Sequence, residues 1–153
     1  MKKVTDSSVT IVQQMIQVDA NLSGNVHGGT IMKLIDSTAG IVAARHTGAN
    51  VVTASIDRLD FHRPVFVGDL LRLSASINFA GKTSMELGVR VEAENVITGN
   101  VRHTASAYLT FVALDRSGKP MAVPPIEFET ETEQRRCQEA QTRRERRFLE
   151  RQH

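Results

Sequence analysis

The sequence predicts a single α+β domain in which one long apolar helix packs against an antiparallel sheet of about five strands. Two patterns carry this prediction. Residues 30–47 place apolar side chains at three- and four-residue spacing, which is typical of a helix, and the segments around them alternate apolar and polar residues, which is typical of strands. The length of 153 residues suits one domain with a core of its own.

The helix is the strongest of these elements. Ile31, Leu34, Ile35 and Ala39 fall on one face, and Ala, Met and Leu dominate the segment, so the pattern predicts a helix about 27 Å long. Gly48 supplies the left-handed residue that ends many helices. Because this helix is apolar over most of its circumference, a sheet or another helix must wrap around it.

The predicted strands lie on both sides of the helix. Residues 9–17 form the first strand, and a loop over residues 18–28 leads to the helix. Glycines and prolines mark the turns between the later strands, for which we predict residues 51–62, 70–79, 84–96 and 101–114. The domain closes at Pro125. Residues 126–153 then form a charged helical extension that begins with a capping box made by Thr130 and Glu133.

The extension is rich in arginine although the formal net charge of the chain is only +2. Acidic residues are interspersed with the arginines, and Phe148 is the single aromatic residue between them. The composition therefore favours a solvated polar helix over a nucleic-acid contact. Cys137 is the one cysteine, so a thiolate metal cage is excluded and a reducing compartment is favoured. We expect no metal, no signal peptide, no membrane span and a cytoplasmic location.

The segment 21–36 holds the best candidate site. It reads N-L-S-G-N-V-H-G-G-T-I-M-K-L-I-D and places Gly28 and Gly29 where the helix begins. The first N–H groups of a helix have no internal partner, so this turn is suited to hold an oxyanion or a carbonyl oxygen. Asp36 follows two turns later, above the small residue Gly40. It is a candidate catalytic carboxylate, and a surface ion pair with Lys33 is the alternative.

Other polar residues have ordinary structural explanations. Asn21 and Asn25 are common turn and cap residues, and His27 is either an acid or base or a hydrogen-bonding loop residue. Lys82 and Thr83 follow a glycine but lie between two strands, so they do not form a nucleotide-binding P-loop. As a hairpin with hydroxyl groups, this turn remains able to meet a phosphate.

Four segments resemble the hotdog-fold acyl-CoA thioesterases, in particular the cytosolic long-chain acyl-CoA hydrolases and their single-domain bacterial relatives. They read N-V-H-G-G-T-I at 25–31, M-K-L-I-D at 32–36, A-G-I-V-A-A-R-H at 39–46 and V-V-T-A-S-I-D at 51–57. The likeness covers about residues 9–125 and implies the hotdog fold. It also implies that Asn21 and Asp36 are the catalytic pair and that the protein assembles as a trimer of dimers, a homohexamer. His27, Gly28 and Gly29, at the helix entry, are the candidates for binding the substrate.

Geometry independently favours a shared site. Asp36 is seven residues beyond Gly29, which is about 10 Å along a helix axis and too far for one thioester carbon to meet both groups. We therefore expect Asn21, Gly28 and Gly29 of one subunit to work with the aspartate of another.

The expected reaction is hydrolysis of a fatty acyl-CoA, with Asp36 as general base or as nucleophile and Asn21 as the orienting residue. No cofactor is expected, since coenzyme A is part of the substrate. Its phosphates require cationic and hydroxyl groups, for which the candidates are Arg58, Arg63, Lys82, Thr83 and Ser84. Two alternatives stay open: a hotdog enoyl hydratase or dehydratase with His27 as base, and a non-catalytic acyl-CoA sensor.

Overall fold

The fold is described by a computed structural model covering residues 1–151. In chain order the elements are β1 (Lys2–Lys3), α1 (Val4–Ser7), β2 (Val9–Gln14), a 3-10 turn (Gln17–Asp19), α2 (Gly28–Thr47), β3 (Asn50–Phe61), β4 (Leu70–Ala80), β5 (Ser84–Glu94), β6 (Val101–Leu114), β7 (Ile126–Glu127) and α3 (Glu131–Arg151). The predicted helix and all five predicted strands are present. Residues 152 and 153 of the predicted extension lie outside the described residues.

Five strands form one antiparallel sheet in the order β2-β4-β5-β6-β3. Helix α2 packs across one face of this sheet, which we call the inner face. Side chains of α2 and of alternate positions on the strands form the core there, and Ile35, Ala39, Leu73, Leu87 and Leu109 are all fully buried. Strand β3 lies at one edge, so one of its sides has no strand neighbour within residues 1–151.

Helix α2 begins two residues earlier than predicted and ends where predicted. Gly48 adopts a φ of +63° and its N–H donates to the carbonyl of Ala44 at 2.8 Å, which closes the helix in the left-handed conformation that favours glycine. The outward face of α2 is not uniformly polar. Met32 and Ile41 are both exposed there.

Strand β2 is three residues shorter than predicted. Beyond Gln14 the chain leaves the sheet: the Met15 N–H donates to the Asp69 carbonyl at 2.9 Å, and the Met15 carbonyl accepts from Gly68 at 2.8 Å. Strands β1 and β7, which the sequence does not predict, form a two-residue parallel pair in which Lys2 lies opposite Ile126. Elements this short carry no periodicity from which to predict them. The domain boundary at residue 125 stays a prediction.

Helix α3 docks on the outer face of the sheet, opposite α2, through a buried ion pair. The Glu86 carboxylate is 3% exposed, and Arg143 donates to its two oxygens at 2.8 and 2.7 Å. Asn78 donates to the same carboxylate at 3.0 Å, and the Arg143 guanidinium lies 3.6 Å from the centre of the Tyr108 ring. The prediction of a solvated helix holds for most residues of α3 but not for the face that carries Arg143.

The start of α3 follows the predicted cap with one change. Thr130 Oγ1 accepts from the Glu133 N–H at 3.1 Å, as in a capping box. The Glu133 carboxylate accepts at 2.9 Å from the N–H of Glu129, one residue before the expected donor. In the part of the chain that the structure describes, no helix has the length and apolar character needed to cross a membrane.

A buried histidine joins the end of α2 to the segment after the sheet. His46 is fully buried, and its Nε2 lies 2.7 Å from the Pro124 carbonyl, which only accepts, so Nε2 carries the proton. Its Nδ1 is buried without a hydrogen-bond partner among residues 1–151. Burial therefore lowers the pKa of His46 below 6.5, because a second proton on Nδ1 would find no acceptor.

This geometry predicts a loss of stability in mild acid. Since the folded pKa is lowered, the unfolded chain binds protons first, so stability is retained above pH 6.5 and declines as the pH falls below it towards the folded pKa. Thermal unfolding between pH 7.5 and 5.5 should show this decline, and His46→Gln, which does not titrate, should flatten it. His27→Gln, at an exposed histidine, is the matched control and should keep the wild-type slope. An unchanged slope in His46→Gln would contradict the assignment.

Candidate functional site

The glycine turn opens helix α2 with free backbone donors. The N–H groups of Thr30 and Ile31 donate to the His27 carbonyl at 3.1 and 3.3 Å, which forms the first turn. The N–H groups of Gly28 and Gly29 precede this turn and find no acceptor within residues 1–151. An added Cβ at Gly29 would meet no atom within 4 Å, so this position has room for a side chain.

Asp36 lies two turns further along α2 and is held by strand β3. It is half-buried, and Thr53 Oγ1 donates to its Oδ1 at 2.6 Å. The alternative ion pair with Lys33 does not form within the described part of the chain. The carboxylate is thus oriented by a neutral donor and keeps its second oxygen for another partner.

Asn21 shapes the loop that precedes α2. Its Oδ1 accepts from the N–H groups of Ser23 and Asn25 at 2.9 and 3.2 Å, and its own N–H donates to the Asn25 carbonyl at 2.7 Å. The turn-forming role is therefore present, and the exposed side chain retains its amide nitrogen as a donor. His27 is also exposed at the start of α2, and its ring does not cap the helix.

The two halves of the candidate site are separated in one chain. Gly28 lies beside the Phe61 ring, 3.5 Å from where a Cβ would stand, at the end of β3. Asp36 is bonded to Thr53 near the start of the same strand. Eight residues of helix separate Gly28 from Asp36, which is about 12 Å along the axis.

The candidate phosphate-binding residues form two groups. Lys82, Thr83 and Ser84 lie in the β4–β5 turn, and Ser84 pairs with Val112 on β6. Arg63 lies just beyond Phe61, whose partner on β6 is Ala105. Ala105 is seven residues along β6 from Val112, the partner of Ser84, so Arg63 lies about 24 Å from the β4–β5 turn along the sheet. Arg58 is exposed between them and pairs with Asp60 at 2.7 Å. One chain does not bring these residues together.

Thr53 and the cluster around Asp57 were not predicted from the sequence. Thr53 lies within a segment that carries the family resemblance, but a hydroxyl on a strand does not reveal which carboxylate it will meet. Asp57 accepts from Ser55 Oγ at 3.0 Å and Thr110 Oγ1 at 3.1 Å, and it forms an ion pair with Arg147 of α3. This cluster lies where the register between β3 and β6 shifts.

A family model described as "Thioesterase superfamily" matches residues 23–99, which is half of the chain. The chain belongs to this superfamily. It is 41% identical over 142 residues to the mouse cytosolic acyl coenzyme A thioester hydrolase, covering 92% of this chain and 37% of the relative. This superfamily member therefore spans little more than a third of the length of that curated relative.

Solved structures of similar proteins confirm the predicted hotdog fold. An apo-hexameric acyl-CoA thioesterase superimposes with a TM-score of 0.93 and 39% identity, covering 97% of this chain and 95% of that chain. An acyl-CoA hydrolase from Staphylococcus aureus, in complex with butyryl coenzyme A and coenzyme A, gives a TM-score of 0.91 and 39% identity, with 98% and 92% covered.

The Staphylococcus aureus hydrolase has also been solved with single alanine replacements of an asparagine, an aspartate and a threonine. In that chain the three replaced residues have the same spacing as Asn21, Asp36 and Thr53 have here. Asn21, Asp36 and Thr53 therefore have the same spacing along the chain as three residues that were replaced by alanine in a similar protein.

The open space at Gly29 predicts that this glycine is not needed for folding. Gly29→Ala should leave the urea-unfolding free energy unchanged or raise it by up to about 1 kcal/mol, because alanine is the better helix former and its Cβ meets nothing. Gly48→Ala is the matched control and should be destabilised, because Gly48 has a φ of +63°. Marked destabilisation of Gly29→Ala would contradict the open entry described here.

Proposed function

We propose that this chain hydrolyses fatty acyl-CoA to the free acid and coenzyme A, in a site shared by two subunits. The observation that carries the proposal is Asp36, a half-buried carboxylate oriented by Thr53 and placed on a helix whose first N–H groups are free. Three residues spaced as Asn21, Asp36 and Thr53 are here were replaced in the similar Staphylococcus aureus acyl-CoA hydrolase. The names of the relatives support the same reaction and substrate class.

In the proposed reaction the thioester oxygen accepts from the free N–H groups of Gly28 and Gly29, which stabilise the negative charge that develops on it. Asp36 takes a proton from water while the water oxygen bonds to the carbonyl carbon. The carbon–sulfur bond then breaks, and the proton passes to the sulfur of coenzyme A. Direct attack by Asp36, followed by hydrolysis of the anhydride, uses the same geometry. The amide of Asn21 orients the water or the carbonyl.

The free edge of β3 supports a pairing of two subunits that would complete one site. A twelve-residue edge strand with exposed Val52 and Phe61 is a template for pairing with a second chain. In an antiparallel pair centred on Asp57, Thr53 of one chain lies opposite Phe61 of the other. Because Phe61 marks the glycine turn and Thr53 holds Asp36, this pairing brings the two halves of the site together.

The same pairing gathers the candidate phosphate-binding residues. With the axis at Asp57, Arg63 of one chain falls opposite residue 51 of the other, at the end of the sheet where Lys82, Thr83 and Ser84 form their turn. The diphosphate and 3′-phosphate of coenzyme A would then contact cationic and hydroxyl groups of both subunits. We further propose that three such dimers form a hexamer, as in the hexameric thioesterase that this chain resembles, and that the protein is cytoplasmic like its cytosolic mouse relative.

The central prediction concerns Asp36 and its partner. Asp36→Asn should lower turnover of palmitoyl-CoA, measured by thiol release, by on the order of a thousandfold, because the general base or nucleophile is lost. Thr53→Val should lower turnover less, and Thr53→Ser, which keeps the donor, should restore most of it. Ser37→Ala, at an exposed neighbour on the same helix, is the control and should hydrolyse normally. Near-normal hydrolysis by a folded Asp36→Asn protein would overturn the proposal.

A further inference from the structure

A buried ion pair lies at the same end of the sheet as the glycine turn. Asp69 is 5% exposed, and Arg102 of β6 donates to its Oδ2 at 2.7 Å. The Phe66 N–H donates to the same oxygen at 3.0 Å, and the Asp69 N–H donates to the Phe66 carbonyl at 3.1 Å. The Arg102 guanidinium also lies 5.9 Å from the centre of the Phe66 ring. These contacts close residues 66–69 into a turn, which we call the Asp69 turn.

The Asp69 turn is also attached to strand β2. Two backbone hydrogen bonds join it to Met15, which directly follows this strand, and the Gln14 side chain donates to the Gly68 carbonyl at 3.2 Å. Strands β2 and β6 are not neighbours, because β4 and β5 lie between them in the sheet. The turn is therefore fixed to the sheet at two separate places.

The loop before α2 pairs with the Asp69 turn. Asn25 forms an antiparallel bridge with Phe66, and the Val26 N–H donates to the Val65 carbonyl at 2.7 Å. The Asn25 carbonyl accepts from the Asn21 N–H at 2.7 Å, and the Asn25 N–H donates to Asn21 Oδ1 at 3.2 Å. The glycine turn begins two residues after Val26. One chain of contacts thus leads from the Asp69 turn to the candidate orienting residue and to the helix entry.

We propose that Asp69 is a positioning residue for the hydrolysis, which fixes the place of the Asn21 amide and of the free N–H groups of the glycine turn. This inference rests on the proposed function. The Asp69 carboxylate is occupied by Arg102 and by the Phe66 N–H, so it acts through the turn and not on the substrate. Groups that stabilise a transition state must be held in place closely, and hydrogen-bonded residues around them provide this support. A buried ion pair adds little net stability because both charges are desolvated, so its contribution here is a fixed geometry.

Steady-state kinetics of Asp69→Asn with palmitoyl-CoA test this role. The variant keeps the size of the side chain but loses the charge that holds Arg102. Its kcat should fall by on the order of tenfold or more with KM little changed, because the geometry of the bound state is disturbed and not the affinity. In an Asn21→Ala background the same substitution should cost clearly less, since one of the groups that it positions is already gone. Glu86→Gln, which breaks the buried ion pair that docks α3, is the matched control and should keep the wild-type kcat and KM.

Hydrogen exchange gives a second readout that does not depend on hydrolysis. The N–H groups of residues 25–27 are hydrogen-bonded within the loop and to Val65. Their exchange should be faster in Asp69→Asn than in the wild-type protein and unchanged in Glu86→Gln. If Asp69→Asn does not fold, Arg102→Lys replaces it. This variant keeps the charge but not the planar guanidinium, so kcat and exchange should change in the same directions by smaller amounts.

Three results would each overturn the proposal: a wild-type kcat in the folded variant, an equal cost of the substitution with and without Asn21, and unchanged exchange at residues 25–27. A wild-type protein that releases no thiol from palmitoyl-CoA would overturn the proposed function, and this role with it. Normal hydrolysis by the wild-type protein together with any of the three results would overturn this role alone.

Discussion

The hydrogen bond from Thr53 to Asp36 ties the central helix to an edge strand, and the candidate site depends on this contact. A half-buried carboxylate is costly unless its oxygens are hydrogen-bonded. A threonine hydroxyl meets this requirement without the full neutralisation that an arginine would impose. The carboxylate therefore stays oriented and retains an oxygen for a water or an acyl carbon.

Strand β3 is held from both faces of the sheet. On the inner side it is joined to α2 by Thr53, and on the outer side Asp57 joins it to α3 through Arg147. The Asp57 contacts coincide with the register shifts in β3, where the ladder to β6 is locally irregular. The terminal helix thus contacts the strand that orients the Asp36 carboxylate, which gives the charged extension a structural role.

The elements with long, regular patterns were predictable from sequence. Helix α2 is predictable because its apolar spacing persists over many turns and Gly48 marks its end, and buried and less buried residues alternate along most of β4, β5 and β6. The docking of α3 was not predictable, because Arg143 and Glu86 pair across 57 positions and a row of arginines indicates exposure. The pairing of β1 with β7 was not predictable either, because two lysines do not indicate a strand and their partners lie far away in the sequence.

The candidate site was predictable in its residues more than in its geometry. Gly28, Gly29 and Asp36 follow from the coincidence of a helix start, free N–H groups and an acid in an apolar run. Thr53 did not, because its partner lies 17 residues away on another element. The wide separation of the two groups of phosphate-binding candidates became evident only from the strand register.

The most direct test of a shared site is a subunit-mixing experiment. Neither Asn21→Ala nor Asp36→Ala alone should release thiol from palmitoyl-CoA efficiently. Unfolding and refolding the two variants together should produce hybrid dimers in which one of the two sites has both residues intact, so activity should return to about a quarter of wild type at equal mixing. No recovery in mixtures whose exchange has been verified by mass spectrometry would contradict the account and place the complete site within one chain.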